Sequence, residues 1–179
     1  QHLSQFGFSG AGLVMIESTA VENIGRITHN CTGIYNDDCL SSIKTVMGKV
    51  KALSLNEVKF GIQLGHAGRK ASTQRPWEGR SYLRDNQNPW KTMAPSAIPF
   101  DEGWPIPIDM NEDELLRVKT AFIDAHTPGS NLKENFTIIG AGVSESSDQH
   151  VHITIPHGFN IGAAGQPPKC KNSLHSHRT

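Results

Sequence analysis

Three places in the chain hold residue types that could do chemistry, and the first is a strand end. Gln63 closes an apolar run, Val58 to Leu64, that is followed directly by Gly65-His66-Ala67-Gly68-Arg69-Lys70. A carboxamide offers a donor and an acceptor together, so it suits the edge of a flat heterocycle that presents both. Spacing alone favours the simpler reading, a polar residue capping a strand. His66 and Arg69 invite acid–base roles, yet such residues after a strand more often serve a solvated loop or an interface. Ser18 follows a second apolar run, Gly12 to Glu17, and a small residue there can bring the backbone close to a ligand or merely make room. Glu17 itself reads as a structural acceptor rather than a base.

The second place is the His-rich C-terminal part. His150-x-His152 and His175-x-His177 share a strand face if extended, a spacing able to bind zinc or copper, but no fixed Cys or carboxylate partners accompany them, and no metal site is assigned. Gly140-Ala141-Gly142 echoes a dinucleotide turn, but Glu145 stands where the third glycine belongs and the fingerprint fails. The third is the segment 71–110, where Trp77, Trp90 and Trp104 would line a substrate mouth or, as the commoner use of such side chains, anchor the loop.

The elements that must position these residues follow from apolar spacing. Gly7 to Ala11 reads as a glycine-rich turn, and Gly12 to Glu17 as a strand buried on both faces. Asp37-Asp38 caps a helix whose Leu40, Ile43, Met47 and Val50 face a core. With the run from Val58, the order is strand, helix, strand, a right-handed parallel βαβ unit. Residues 71–110 exceed any ordinary connection, and insertions of that length serve a site or an interface. Asn111-Glu112-Asp113-Glu114 then caps a helix with Leu115, Val118, Phe122 and Ala125 on one stripe. Beyond Ala125 amphipathic periodicity stops, and only Phe136 to Ile139 and Val151 to Ile155 read as strands, paired with each other or with nothing.

Composition sets the class and little else. In 179 residues, 36% are hydrophobic and 19% charged, and the 17 basic residues match the 17 acidic ones, so no basic field favours nucleic acid. No apolar run is long enough for a membrane span. Cys31, Cys39 and Cys170 are odd in number and lack CxxC spacing, which points to a reducing, cytoplasmic compartment.

Gly12-Leu13-Val14-Met15-Ile16-Glu17-Ser18-Thr19-Ala20-Val21, Gly25-Arg26-Ile27-Thr28, the ten residues from Gly61 to Lys70, and Ala94-Pro95-Ser96-Ala97-Ile98 together resemble the old yellow enzyme family, in its shorter bacterial-type branch of NADPH dehydrogenases. The resemblance runs from about Gln1 to Ala125. It implies an α/β fold, part of a TIM (β/α)8 barrel, with FMN at the C-terminal strand ends. It implies NADPH as reductant and a small-molecule enone or similar activated alkene as substrate, and leaves room for a homo-oligomer. Residue by residue it assigns two cofactor contacts: Ser18, through its backbone at the flavin ring, and Gln63, through its amide at the pyrimidine edge.

The resemblance also implies a first strand before Gln1 and, after Ala125, a substrate-binding His pair, a flavin-contacting Arg and a phosphate site. None of these is recognisable in the sequence, so no catalytic residue is assigned. The expected division is therefore 1–125, a partial FMN-binding barrel, and 126–179, an unrelated and poorly structured tail, disordered or frameshifted. Two functional readings follow: an FMN-dependent NAD(P)H oxidoreductase present as an incomplete chain, or a non-catalytic interaction module or inert product of a truncated gene. A metal-binding tail ranks third.

Overall fold

The computed structural model describes residues 1–54, 58–126 and the backbone of the strand 137–143. Helix α1 (His2–Phe8) leads into strand β1 (Leu13–Ala20), helix α2 (Asp37–Leu53), strand β2 (Lys59–His66), two short strands β3 (Met93–Ala94) and β4 (Ile108–Asp109), helix α3 (Glu112–His126) and strand β5 (Thr137–Val143). β1, β2 and β5 form one sheet in the order β1-β2-β5, and both pairings are parallel. The βαβ unit expected between residues 12 and 64 is present, with α2 joining two adjacent parallel strands.

Helices α2 and α3 form where side chains satisfy the first turn. In α2 the cap is Asn36, whose Oδ1 accepts from the Cys39 amide at 2.8 Å, while Asp37 and Asp38 lie inside the first turn. This corrects the expected cap by one residue, because the extended backbone of Asn36 aims its side chain back at the free amides. The two aspartates act instead on the positive end of the helix dipole. At α3 the reciprocal box is complete: Asn111 Oδ1 accepts from the Glu114 amide and Glu114 Oε2 from the Asn111 amide, both at 2.9 Å.

The core lies between the sheet and the helices. Val14, Phe60, Ile62 and Leu64 from one sheet face join Ile43, Met47 and Val50 of α2 and Val118, Phe122 and Ala125 of α3 in one buried cluster. Leu40 packs only at its margin, and Leu115 is exposed rather than part of the stripe. The other sheet face is uncovered: Leu13 and Met15 are 46% and 40% exposed. β1 is therefore buried on one face, not on both as its unbroken apolar run suggests. An apolar run records what a strand needs covered, and the described residues supply only the helical side of that cover.

Two further expectations are corrected. Gly7 and Phe8 belong to α1, not to a turn, and the turn is confined to Ser9–Gly12, with Gly10 at φ 79°. The run from Phe136 was expected to pair with Val151 to Ile155 or with nothing, yet Thr137–Val143 pairs in parallel with β2 and extends the sheet. Gly140, Ala141 and Gly142 are thus strand residues rather than a dinucleotide turn. The His150/His152 and His175/His177 pairs, Cys170 and the run at Val151 lie outside the described residues.

Candidate functional site

Strand alternation sorts the sequence candidates. Phe60, Ile62, Leu64 and His66 point to the helices, so Lys59, Gly61, Gln63 and Gly65 share the uncovered face. Gln63 is exposed there, between two glycines that add no side chain beside it. Ile16 pairs with Ile62 but Thr19 with Leu64, so two residues of β1, Glu17 and Ser18, stand opposite the single Gln63. A second step occurs on the other side, where Ile62 pairs with Ile138 and Leu64 with Ala141. Gln63 thus lies between two bulges, a device that bends a strand and re-aims its side chains at barrel rims and sites. The two residues singled out from sequence are brought together at one level of the sheet.

His66 is removed from this face. It is buried, its Nδ1 accepts from the Gly68 amide at 3.1 Å, and Nε2, which then carries the proton, faces Glu22 Oε2 at 3.2 Å without hydrogen-bond alignment. Glu22 also meets Arg117 of α3 at 3.5 Å, so the group ties the ends of β1 and β2 to a helix. The ring lies so close to Gly25 that a Cβ there would come within 2.6 Å of it. This is a structural imidazole. Arg69 turns along the loop and donates to the Ile98 carbonyl at 3.4 Å.

The long segment folds back over the strand ends through backbone and tryptophan contacts. Thr73 donates to the Ile27 carbonyl from both its amide (2.8 Å) and its hydroxyl (2.9 Å), and His29 Nε2 donates to the Gln87 carbonyl at 3.0 Å. Trp90 is the anchor expected of it: its indole donates to the Ile24 carbonyl at 3.0 Å and carries the Arg26 guanidinium 5.0 Å above its ring. Trp104 packs edge-on to Phe100 and Tyr82. Trp77 departs from the anchoring expectation, because it is 77% exposed and its ring contact is with Arg75 of the same loop.

These walls enclose a cavity of about 490 Å³ at the C-terminal end of β1, reached by Glu17 and Ser18 but not by Gln63. A second cavity, of about 530 Å³, lies on the far side of Trp104 and is lined by Arg69, Arg84 and Trp90 among others. Neither cavity was legible from spacing, since their walls come from segments some fifty residues apart in sequence, as the Ile27–Thr73 bonds show. Among the described residues, no group of three or more His, Cys, Asp or Glu side chains could hold a metal ion, and no helix is long and apolar enough to cross a membrane.

Comparison with known proteins sets this geometry in a family. The chain is 36% identical over 113 residues to an NADPH dehydrogenase of Listeria monocytogenes, which covers 63% of this chain and 28% of that protein. It is 35% identical over 128 residues to the NADH:flavin oxidoreductase FG08077 of Gibberella zeae, covering 69% of this chain and 30% of that protein. The fold matches the old yellow enzyme of Pichia sp. AKU4542 with a TM-score of 0.59 over 78% of this chain and 35% of that one, at 19% identity. The chain is similar in fold to the old yellow enzymes. The same fold appears in the enzyme from Trypanosoma cruzi, with a TM-score of 0.55 over 79% of this chain and 40% of that one, at 20% identity. No family model matches the chain. It spans under a third of the curated relatives it matches. The described residues present strand ends of such a fold with the loop that covers them.

Proposed function

We propose that this chain is part of an FMN-dependent NAD(P)H oxidoreductase of the ene-reductase type, with the cofactor contacts of residues 1–125 provided by Ser18 and Gln63. The observation that carries the reading is the placement of Gln63: an exposed amide on the uncovered sheet face, flanked by Gly61 and Gly65 and opposite the bulged pair Glu17-Ser18. A flat ring can approach such a face because no neighbouring side chain on β2 blocks it, and the bulge turns the β1 backbone toward the same level. An isoalloxazine fits that opening. FMN, when bound, would supply hydride from a reduced nicotinamide to an activated alkene.

Within that reading Gln63 orients rather than reacts. Its carboxamide offers one donor and one acceptor to the pyrimidine edge, and a strand end holds it more rigidly than a loop would. Ser18 contributes through its backbone. Glu17 and Lys70, which both reach the neighbouring cavity, set the charge at the rim. None of these residues is assigned a proton-transfer step.

The uncovered face favours a second statement about the chain by itself. With Leu13 and Met15 open to water among the described residues, the sheet face that an opposing barrel layer would cover is exposed, and the chain alone acts as a non-catalytic piece that binds FMN weakly or not at all. The test is a chimera that joins residues 1–125 to the remaining strands of a relative. There Gln63→Leu should weaken FMN binding roughly 5- to 150-fold, the effect of about 1–3 kcal/mol for a buried polar edge left unpaired. An unchanged affinity and midpoint potential would refute the assignment of Gln63.

A further inference from the structure

The sheet face turned away from the helices is apolar along β1 and carries one charge of each sign at opposite ends. Leu13 and Met15 are 46% and 40% exposed there, and Gly61 beside Met15 adds no side chain. Lys59 pairs with Leu13 at the N-terminal end of the strands, whereas Glu17 stands opposite Gln63 toward the C-terminal end. Both charged residues are exposed, and among the described residues neither has an ion-pair partner. Four strand residues separate the two levels, about 13 Å at a rise of roughly 3.3 Å per residue.

This pattern is complementary to itself. A two-fold axis that lies between two such faces and runs across the strands reverses the strand direction of the second copy. Met15 then meets Met15 near the axis, and Lys59 of each copy arrives at the level of Gln63 and Glu17 of the other. Packed sheets stand about 10 Å apart and neighbouring strands about 4.8 Å, a span that an extended lysine and glutamate close between them. A two-fold axis along the strands serves the face worse, because it sets Leu13 against Lys59 and leaves Glu17 over Gln63 with both charges unmet. The crosswise contact is isologous, so it closes at two copies.

We propose that the occupant of this face is a second copy of the chain, packed with its strands antiparallel to the first, with Met15 at the axis and two Lys59–Glu17 ion pairs at the ends. Apolar surface bounded by charge marks an interaction site, and here the charges select both the partner and its direction. Three strands of seven or eight residues span only roughly 14 by 25 Å, less than the roughly 800 Å² per partner of a standard interface, so the dimer is weak and reversible. The inference does not rest on the flavin reading.

The test follows the full 179-residue chain, free of flavin, by sedimentation velocity from about 1 to about 500 µM. A reversible monomer–dimer equilibrium is expected, with a dissociation constant on the order of 10 µM that rises with added salt. Lys59→Glu and Glu17→Lys each bring like charges together twice per dimer, so each should raise that constant roughly tenfold or more. The double variant Lys59→Glu/Glu17→Lys should restore it to within about threefold. Both positions are exposed, and circular dichroism checks that each variant keeps the fold. A monomer throughout the range, which leaves the face to another occupant, or association that grows past two copies would overturn the proposal. So would a dimer that is indifferent to the single reversals or not rescued by the double one. FMN binding to the chimera judges the flavin reading separately, so either can fail while the other stands.

Discussion

The two faces of the sheet are built from the same strands and meet opposite fates. On one, Phe60, Ile62 and Leu64 are 3%, 0% and 0% exposed beneath α2 and α3; on the other, Leu13 and Met15 keep nearly half their surface in water. Along Leu13 to Ile16 of β1 both faces are apolar in sequence, so there the difference lies in the partner and not in the strand. The helical face is locally complete because each helix follows its strand along the chain. The inner face of a barrel is covered by side chains from strands across the barrel, and among the described residues nothing covers Leu13 and Met15 in that way.

The largest expected effect tests the covered face. Phe122 is fully buried, and Phe122→Ala should cost about 3–5 kcal/mol, read as a lower denaturant midpoint. Leu13→Asn removes an apolar side chain of the other face and should change stability by about 0.5 kcal/mol or less in the same measurement. Equal losses would break the comparison. Asn36→Ala addresses the helix that covers the buried face, and loss of its cap should cost about 1 kcal/mol by thermal or chemical unfolding.

Smaller effects sharpen the contrast. The pair Leu13→Asn and Met15→Thr should leave the midpoint nearly unchanged and raise the monomer fraction in sedimentation velocity, because the patch they interrupt is free to meet another copy. Tyr35, in the loop after β1, gives the least. Burial first, then its hydrogen bond and electrostatic interaction with Cys39, raises its phenol above the usual value of 10.0, against a lowering by Arg26. The folded state therefore holds this proton more firmly than the unfolded one, and the associated stability is intact below pH 10 and declines above it. Tyr35→Phe should flatten that alkaline slope.

What could be read from sequence divides along similar lines. The βαβ unit was legible because Ile43, Met47 and Val50 repeat at helical spacing between two apolar runs, and all three are buried. The cap at Asn111 was legible because both partners of its reciprocal bonds lie within four residues. Ser18 and Gln63 were picked out by family resemblance, whereas their meeting at one level depends on a register step that leaves no compositional trace. The turn of His66 toward the helices, the exposure of Trp77 and the cavity walls escaped for another reason. Each depends on contacts between distant segments, such as Glu22 with His66 or Ile27 with Thr73.

The paired bulges make the sheet sensitive to length in a way that point substitutions are not. Below Gln63 each rung joins β2 to its neighbours in one count, and above it both outer strands run one residue ahead. Removing a single codon at Glu17 or Ser18, or at Ile139 or Gly140, would let one outer strand march in step with β2 along its whole length. Gln63 would then occupy an ordinary rung, and the strand ends beyond it would rotate back toward a flatter sheet. The level at which this sheet opens is thus written as a frame, alterable one residue at a time by deletion on either side of a strand that stays untouched.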